Sequence, residues 1–158
     1  MKAIHLDQVP WREIKSPKGT FRLSEKDVSL AVGGKKDVGP WGGGQPFDLA
    51  LVRIPPGCKN WPVHQHAAQW EVYHLLEGEG KYFDGAEWHT IRAGHTIVAA
   101  PGEAHQIENS GSVDLAYLVI ADMPAADNTF YPATGLINIK PQRKIMQESP
   151  ANYYDGHE

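Results

Sequence analysis

The stretch "HQHAAQWEVYHLLEGEG", residues 64 to 80, sets His64 and His66 one residue apart and Glu71 five positions further on, inside a run that is otherwise largely aromatic and aliphatic. Imidazole nitrogens and a carboxylate oxygen are the donors that first-row divalent ions take. On an extended strand, alternate residues share a face and stand about 6.6 Å apart along the chain, so both imidazoles can turn toward one point. Glu71 has the opposite parity to His66, and a uniform strand would send it to the other face. The three groups meet only if the backbone bends or bulges over 67 to 69, and irregular backbone is expected there. Beyond it, alternation places Tyr73 and Leu75 with the carboxylate, and Val72, His74 and Leu76 opposite. Tyr73 and Gln69 share the parity of Glu71, which makes them candidates to hydrogen-bond a ligand or orient the carboxylate; an ordinary wall-lining role is the competing reading. A fourth candidate is His105 in "GHTIVAAPGEAHQIEN", residues 94 to 109, directly after the Pro101-Gly102 turn. Ile107 alternates onto its face, and Asn109 suits the turn at "NSGS".

The elements that must position these residues read as strands. Sixteen glycines and twelve prolines punctuate short runs rich in Val, Ile, Leu, Tyr and Thr, with no sustained 3.6-residue periodicity. "TFRLS", "VSLAV", "FDLALVRI", "WEVYHLLEGEGKYF", "EWHTI", "TIVAA", "HQIEN" and "DLAYLVIAD" are the expected strands, and many short strands with close turn signals predict an all-β barrel or sandwich. "GPWGGGQP", residues 39 to 46, reads as a flexible loop; it lacks the Lys-Ser/Thr of a phosphate-binding P-loop. From Met123 onward, prolines at 124, 132, 141 and 150 predict an irregular arm without a central strand. Its aromatics, Phe130, Tyr131, Tyr153 and Tyr154, are expected to pack on the barrel or on a second subunit.

At 158 residues, 41% apolar and 22% charged, the chain suits one domain with one core. A net charge of -4, with basic pairs only at Lys35-Lys36 and Arg143-Lys144, leaves no footprint for nucleic acid or anionic membrane, and no helix-turn-helix pattern is evident. No apolar run approaches the roughly 20 residues that span a bilayer. The single cysteine, Cys58, reads as an incidental thiol, and the start "MKAIHLDQVPW" lacks a secretory apolar region. A cytoplasmic protein is the expectation. His5, His74, His89, His95 and His157 read as surface or packed histidines, and Trp61, Trp70 and Trp88 as packing rather than a sugar platform.

The spacing Gly57, six residues, His64, one, His66, four, Glu71, six, Gly78, followed by Gly94, seven, Gly102, two, His105, three, Asn109, resembles the two signature motifs of the cupin superfamily. Two departures are visible: the first interval is one residue longer than usual, and Ala100 stands where the second motif has proline. Neither touches a ligand position. The resemblance implies a single double-stranded β-helix, or jelly-roll, barrel with a core at about 45–122 and the arm at 123–158. It also implies that His64, His66, Glu71 and His105 ligate one divalent transition metal ion in the barrel mouth. A His3Glu set suits Fe, Zn, Mn or Ni over Mg or Ca, and in six-coordination it leaves two positions open for chemistry. The functional expectation is a metal-dependent cupin acting on a small polar metabolite, as a dioxygenase, isomerase or decarboxylase; the alternative is a non-catalytic module that binds a small molecule or carbohydrate. Exposed sheet edges and the aromatic arm lead to the expectation of a homodimer.

Overall fold

The computed structural model describes residues 3–38 and 44–157, so most of the glycine-rich loop expected at 39 to 46 lies outside the described residues. Within them the chain forms β1 (Arg12–Lys15), β2 (Arg22–Asp27), a single helical turn α1 (Val28–Ala31), β3 (Phe47–Ile54), β4 (Gln65–His66), β5 (Glu71–Glu77), β6 (Glu79–Phe83) and β7 (Trp88–Arg92). β8 (Thr96–Ala99), β9 (Gln106–Glu108), β10 (Leu115–Asp122), β11 (Asp127–Tyr131), β12 (Leu136–Lys140) and β13 (Lys144–Gln147) follow. They assemble into a six-stranded sheet ordered β1-β2-β3-β10-β5-β8, a four-stranded sheet β13-β12-β11-β4 and a three-stranded sheet β7-β6-β9. An isolated antiparallel bridge between His64 and His105 joins the two smaller sheets into one wall. The expected all-β jelly-roll architecture is what the chain adopts.

Alternation decides what faces inward. In β3, Ala50, Val52 and Ile54 are buried while Arg53 between them is exposed. β10 pairs antiparallel with β3 over its whole length and with β5 on its other side, so Tyr117 and Leu75 meet in the same interior layer. The core draws Leu23, Ile54, Tyr73, Leu75, Leu115 and Tyr117 from the large sheet, and Tyr82, Ile91 and Ile107 from the opposing wall. Burial of apolar area between two sheets is the main stabilising term of such a fold.

Three expectations are corrected. "WEVYHLLEGEGKYF" is two strands: Gly78 has φ +79°, and a Cβ there would stand 2.5 Å from the Asp114 carbonyl oxygen. The chain leaves the six-stranded sheet at that glycine and enters the three-stranded one. "VSLAV" is a helical turn, because Asp27 acts as N-cap and its Oδ1 accepts the Leu30 N–H at 2.9 Å. The arm after Met123 is largely regular, with β11 internal to its sheet between β12 and β4. Pro124, Pro132 and Pro141 fall between strands and Pro150 after the last one, so they delimit elements and interrupt none. Residues 148–157 carry no strand. Phe130 and Tyr131 are half-buried, whereas Tyr153 and Tyr154 are exposed.

Candidate metal centre

β4 belongs to one wall and β5 to the other, so residues 67–70 carry the chain across the barrel mouth. This crossing is the irregular backbone that the parity of Glu71 requires. Its polar groups are paired: Ala67 N–H donates to the Asn128 carbonyl (2.9 Å), Ala68 N–H to Asp127 Oδ1 (2.9 Å) and Trp70 N–H to Asp122 Oδ1 (2.7 Å). On the other side, His64 and His105 exchange backbone hydrogen bonds at 3.2 and 2.8 Å. A directly opposed antiparallel pair sends both side chains to the same face.

Each histidine is held by its outer nitrogen. His64 Nδ1 lies 2.9 Å from the Pro62 carbonyl, His105 Nδ1 3.0 Å from the Glu103 carbonyl, and His66 Nδ1 2.6 Å from Asp127 Oδ2. A carbonyl or carboxylate oxygen only accepts, so Nδ1 carries the proton in all three rings. The Nε2 atoms turn inward and converge on one oxygen, Glu71 Oε2, at 4.0 Å for His64, 3.5 Å for His66 and 2.9 Å for His105. An ion bonded at about 2.1 Å sets neighbouring donors about 3 Å apart in octahedral geometry. His64, His66 and Glu71 already offer donors within 4.8 Å of one another, and His105 joins them through Glu71. The donor set therefore fits a first-row divalent ion.

The electrostatics agree with closely opposed, desolvated groups. Burial, reinforced by neighbouring His105, holds His64 down to about 4. For Glu71, burial alone would raise the pKa; the His105 hydrogen bond and the three imidazoles outweigh it and bring the carboxyl to about 2. His105 is opposed by burial but raised on balance by Glu71. The Tyr73 hydroxyl lies 2.7 Å from Glu71 Oε2 and 3.1 Å from His105 Nε2. Burial first, then the Glu71 charge, pushes its pKa well above the ordinary value, so the phenol keeps its proton. With a single proton it donates to one of the two at a time.

The remaining candidates separate clearly. Gln69 touches no imidazole: its Nε2 donates to the Asp122 carbonyl (2.6 Å), and Lys140 Nζ donates to its Oε1 (3.2 Å). Its assignment to the carboxylate fails because 67–70 is no strand and has no parity to carry forward. Ile107 is fully buried in the core rather than on the cavity wall. Asn109 closes its turn, donating to the Ile54 and Val113 carbonyls and accepting from Gly111 N–H. His74 faces outward onto Thr96, and His89 pairs with Asp84. Sequence reasoning missed Asp127, which lies 61 positions beyond His66 on a strand that the prolines concealed. Its carboxyl is opposed by burial but held below the usual range by His66 and the Ala68 N–H. Above the centre opens a cavity of about 410 Å³, with Val52, Val119 and Ala121 on the apolar side and Tyr131, Asn138 and Lys140 on the polar side.

Residues 50–121 match the family model for the cupin domain. Over this segment the chain resembles small members of the cupin superfamily. It is 37% identical over 72 residues to an oxalate-binding protein of Thermotoga maritima, covering 46% of this chain and 59% of that one. The chain thus spans about three fifths of the length of two of the curated relatives it matches, and 42% of a third. Among solved structures, a sugar phosphate isomerase from a cupin superfamily of Silicibacter pomeroyi superposes with a TM-score of 0.73 at 20% identity, over 96% of this chain and 97% of that one. A predicted oxalate decarboxylase of Thermotoga maritima superposes with a TM-score of 0.60 at 22% identity, over 77% and 98%. At these identities the two structures speak to the fold alone. Among the described residues, no helix is long and apolar enough to cross a membrane.

Proposed function

We propose that the protein holds one divalent first-row transition ion on His64, His66, Glu71 and His105 and is a metal-dependent enzyme acting on a small polar metabolite in the cavity above it. The observation that carries this reading is the convergence of three Nε2 atoms on Glu71 Oε2 while each Nδ1 is committed elsewhere. A bound ion of this class supplies Lewis-acid polarisation of a carbonyl or, if iron, oxidative chemistry. The chain's own contribution is a desolvated seat: Glu71 is kept ionised, Tyr73 keeps the carboxylate oriented, and the cavity admits a ligand of a few carbon atoms beside the open positions. The oxalate-binding relative supports a small, oxygen-rich acid as the class of ligand. Its name equally supports the second reading, a module that binds without turnover.

The test is the metal content of protein purified without a histidine tag or chelator, wild type against the His64→Ala, His66→Ala double variant. Near-stoichiometric metal that the variant loses is expected. No metal in the wild type, even after reconstitution with Fe, Mn, Zn and Ni, removes the reading. Saturable calorimetric binding of a small acid with turnover of none transfers it to the binding module. Oxygen uptake that persists in the His64→Ala and His105→Ala proteins eliminates dioxygenation.

We also propose a homodimer in the cytoplasm. Leu49, Ile120, Val72 and Val98 form one cross-strand row over four adjacent strands of the large sheet, with Ile120 and Val98 exposed. Such a row on an outer face supports pairing with a second copy. A clean monomer in sedimentation of the full chain overturns it.

A further inference from the structure

We propose that Asp127 is a positioning residue that fixes the ring tautomer of His66, so that the C-terminal β11–β13 meander sets the metal affinity of the site. The inference rests on the metal-binding reading above and adds a residue beyond the matched cupin domain, which ends at 121.

The argument begins with the register. β11 pairs with β4, Thr129 opposite His66 and Phe130 opposite Gln65, which brings the start of β11 beside the His66 ring. Asp127 is buried, at 5% exposure, and divides its two oxygens: Oδ2 takes His66 Nδ1 at 2.6 Å and Oδ1 takes the Ala68 N–H at 2.9 Å. One carboxylate thereby holds both the imidazole and the first turn of the crossing that delivers Glu71. Lys140 Nζ on β12, 3.6 Å from Asp127 Oδ2, supplies the counter-charge. An ionised carboxylate cannot donate, so the proton of a neutral His66 must sit on Nδ1 and its lone pair on Nε2, facing Glu71. Pro62 and Glu103 perform the same service for His64 and His105 with backbone carbonyls, which no side-chain substitution removes. His66 alone depends on a side chain, and that side chain comes from the meander.

Asparagine and alanine at 127 separate positioning from mere support. Asparagine has the same shape, but to satisfy Ala68 N–H with its oxygen it must aim its amide N–H group at His66 Nδ1. That imposes the wrong tautomer, with the proton on Nε2. Alanine removes both contacts and leaves His66 Nδ1 only the Thr129 hydroxyl at 3.5 Å, which can donate or accept and so imposes neither tautomer.

The experiment titrates the metal-free full-length proteins with Zn²⁺ by competition with a chromophoric chelator, and reads the His66 tautomer from long-range ¹H–¹⁵N spectra at pH 8. Wild-type His66 is expected as the Nδ1–H form and Asp127→Asn as the Nε2–H form. Zinc affinity is expected to fall about 10- to 100-fold in Asp127→Asn and less in Asp127→Ala, while thermal stability falls at least as far in alanine as in asparagine. A purely structural role predicts alanine worse in both, and that result overturns the proposal. So does a wild-type His66 carrying its proton on Nε2, a measurement that decides the matter even if neither variant folds. Absence of zinc binding in the wild type refutes the metal reading instead, and the tautomer still judges Asp127 separately.

Discussion

Two clusters among the described residues bring histidine and carboxylate together, and they differ in which atoms they leave available. His64, His66 and Glu71 meet in the barrel mouth; Asp84, Glu87 and His89 meet on the exposed hairpin between β6 and β7. In the exposed cluster the donors are already committed: Asp84 Oδ1 accepts the Ala86 and Glu87 N–H groups, and Oδ2 pairs with His89 Nε2 at 2.6 Å. In the buried one every Nδ1 is committed on the outer side of its ring, and the Nε2 atoms face inward, with only that of His105 in hydrogen-bond contact, with Glu71 and Tyr73. Proximity of histidine and carboxylate is therefore not the criterion. What matters is which lone pairs the fold leaves unclaimed, and whether water is kept from them.

The contrast can be broken most forcefully at its centre. The His64→Ala, His66→Ala double variant should lose metal affinity by more than about a hundredfold, beyond the cost of removing an outer partner, as measured by metal analysis and zinc competition. Acid should come next. The folded-state value of His64, about 4, lies below its ordinary 6.5, so the unfolded chain takes up a proton that the folded chain refuses. That contribution makes metal-free stability fall as pH drops from 6.5 toward 4, and urea denaturation across this window should show the fall reduced in His64→Gln by on the order of 1–3 kcal/mol. His105, raised by Glu71, acts in the opposite sense and loses its contribution as pH rises. A smaller effect belongs to Tyr73→Phe, which removes a donor from a buried carboxylate; about 1–2 kcal/mol of metal-free stability should go in urea titrations, with zinc stoichiometry intact. Asp84→Asn should leave zinc affinity at the wild-type value in the same competition assay. A loss of metal there would erase the distinction between the clusters.

Much of this site was legible before any coordinates. Strand parity paired His64 with His66, and the mismatch at Glu71 located an irregular segment where the chain in fact changes walls. His105 emerged from its place after the Pro101-Gly102 turn together with the cupin resemblance. Gln69 was misplaced by the same parity, because a rule for strands was extended through residues that form none. Asp127 was invisible for a different reason: its role depends on β11 lying beside β4, a long-range pairing that no local pattern encodes, in a segment whose prolines read as breakers. "VSLAV" was misread because its β-branched ends suggested a strand, while the preceding Asp27 cap decided for a helical turn.

Tyr73, Tyr82 and Tyr117 pack with Leu75, Ile107 and Leu115 beneath the candidate metal centre, so the barrel is filled by side chains on that side. Among the described residues the space beside Glu71 therefore lies on the opposite side, in the cavity lined by Tyr131 and Lys140. A molecule seated there would fill the room that a second one needs, so a product resembling its precursor would compete with it for the same volume.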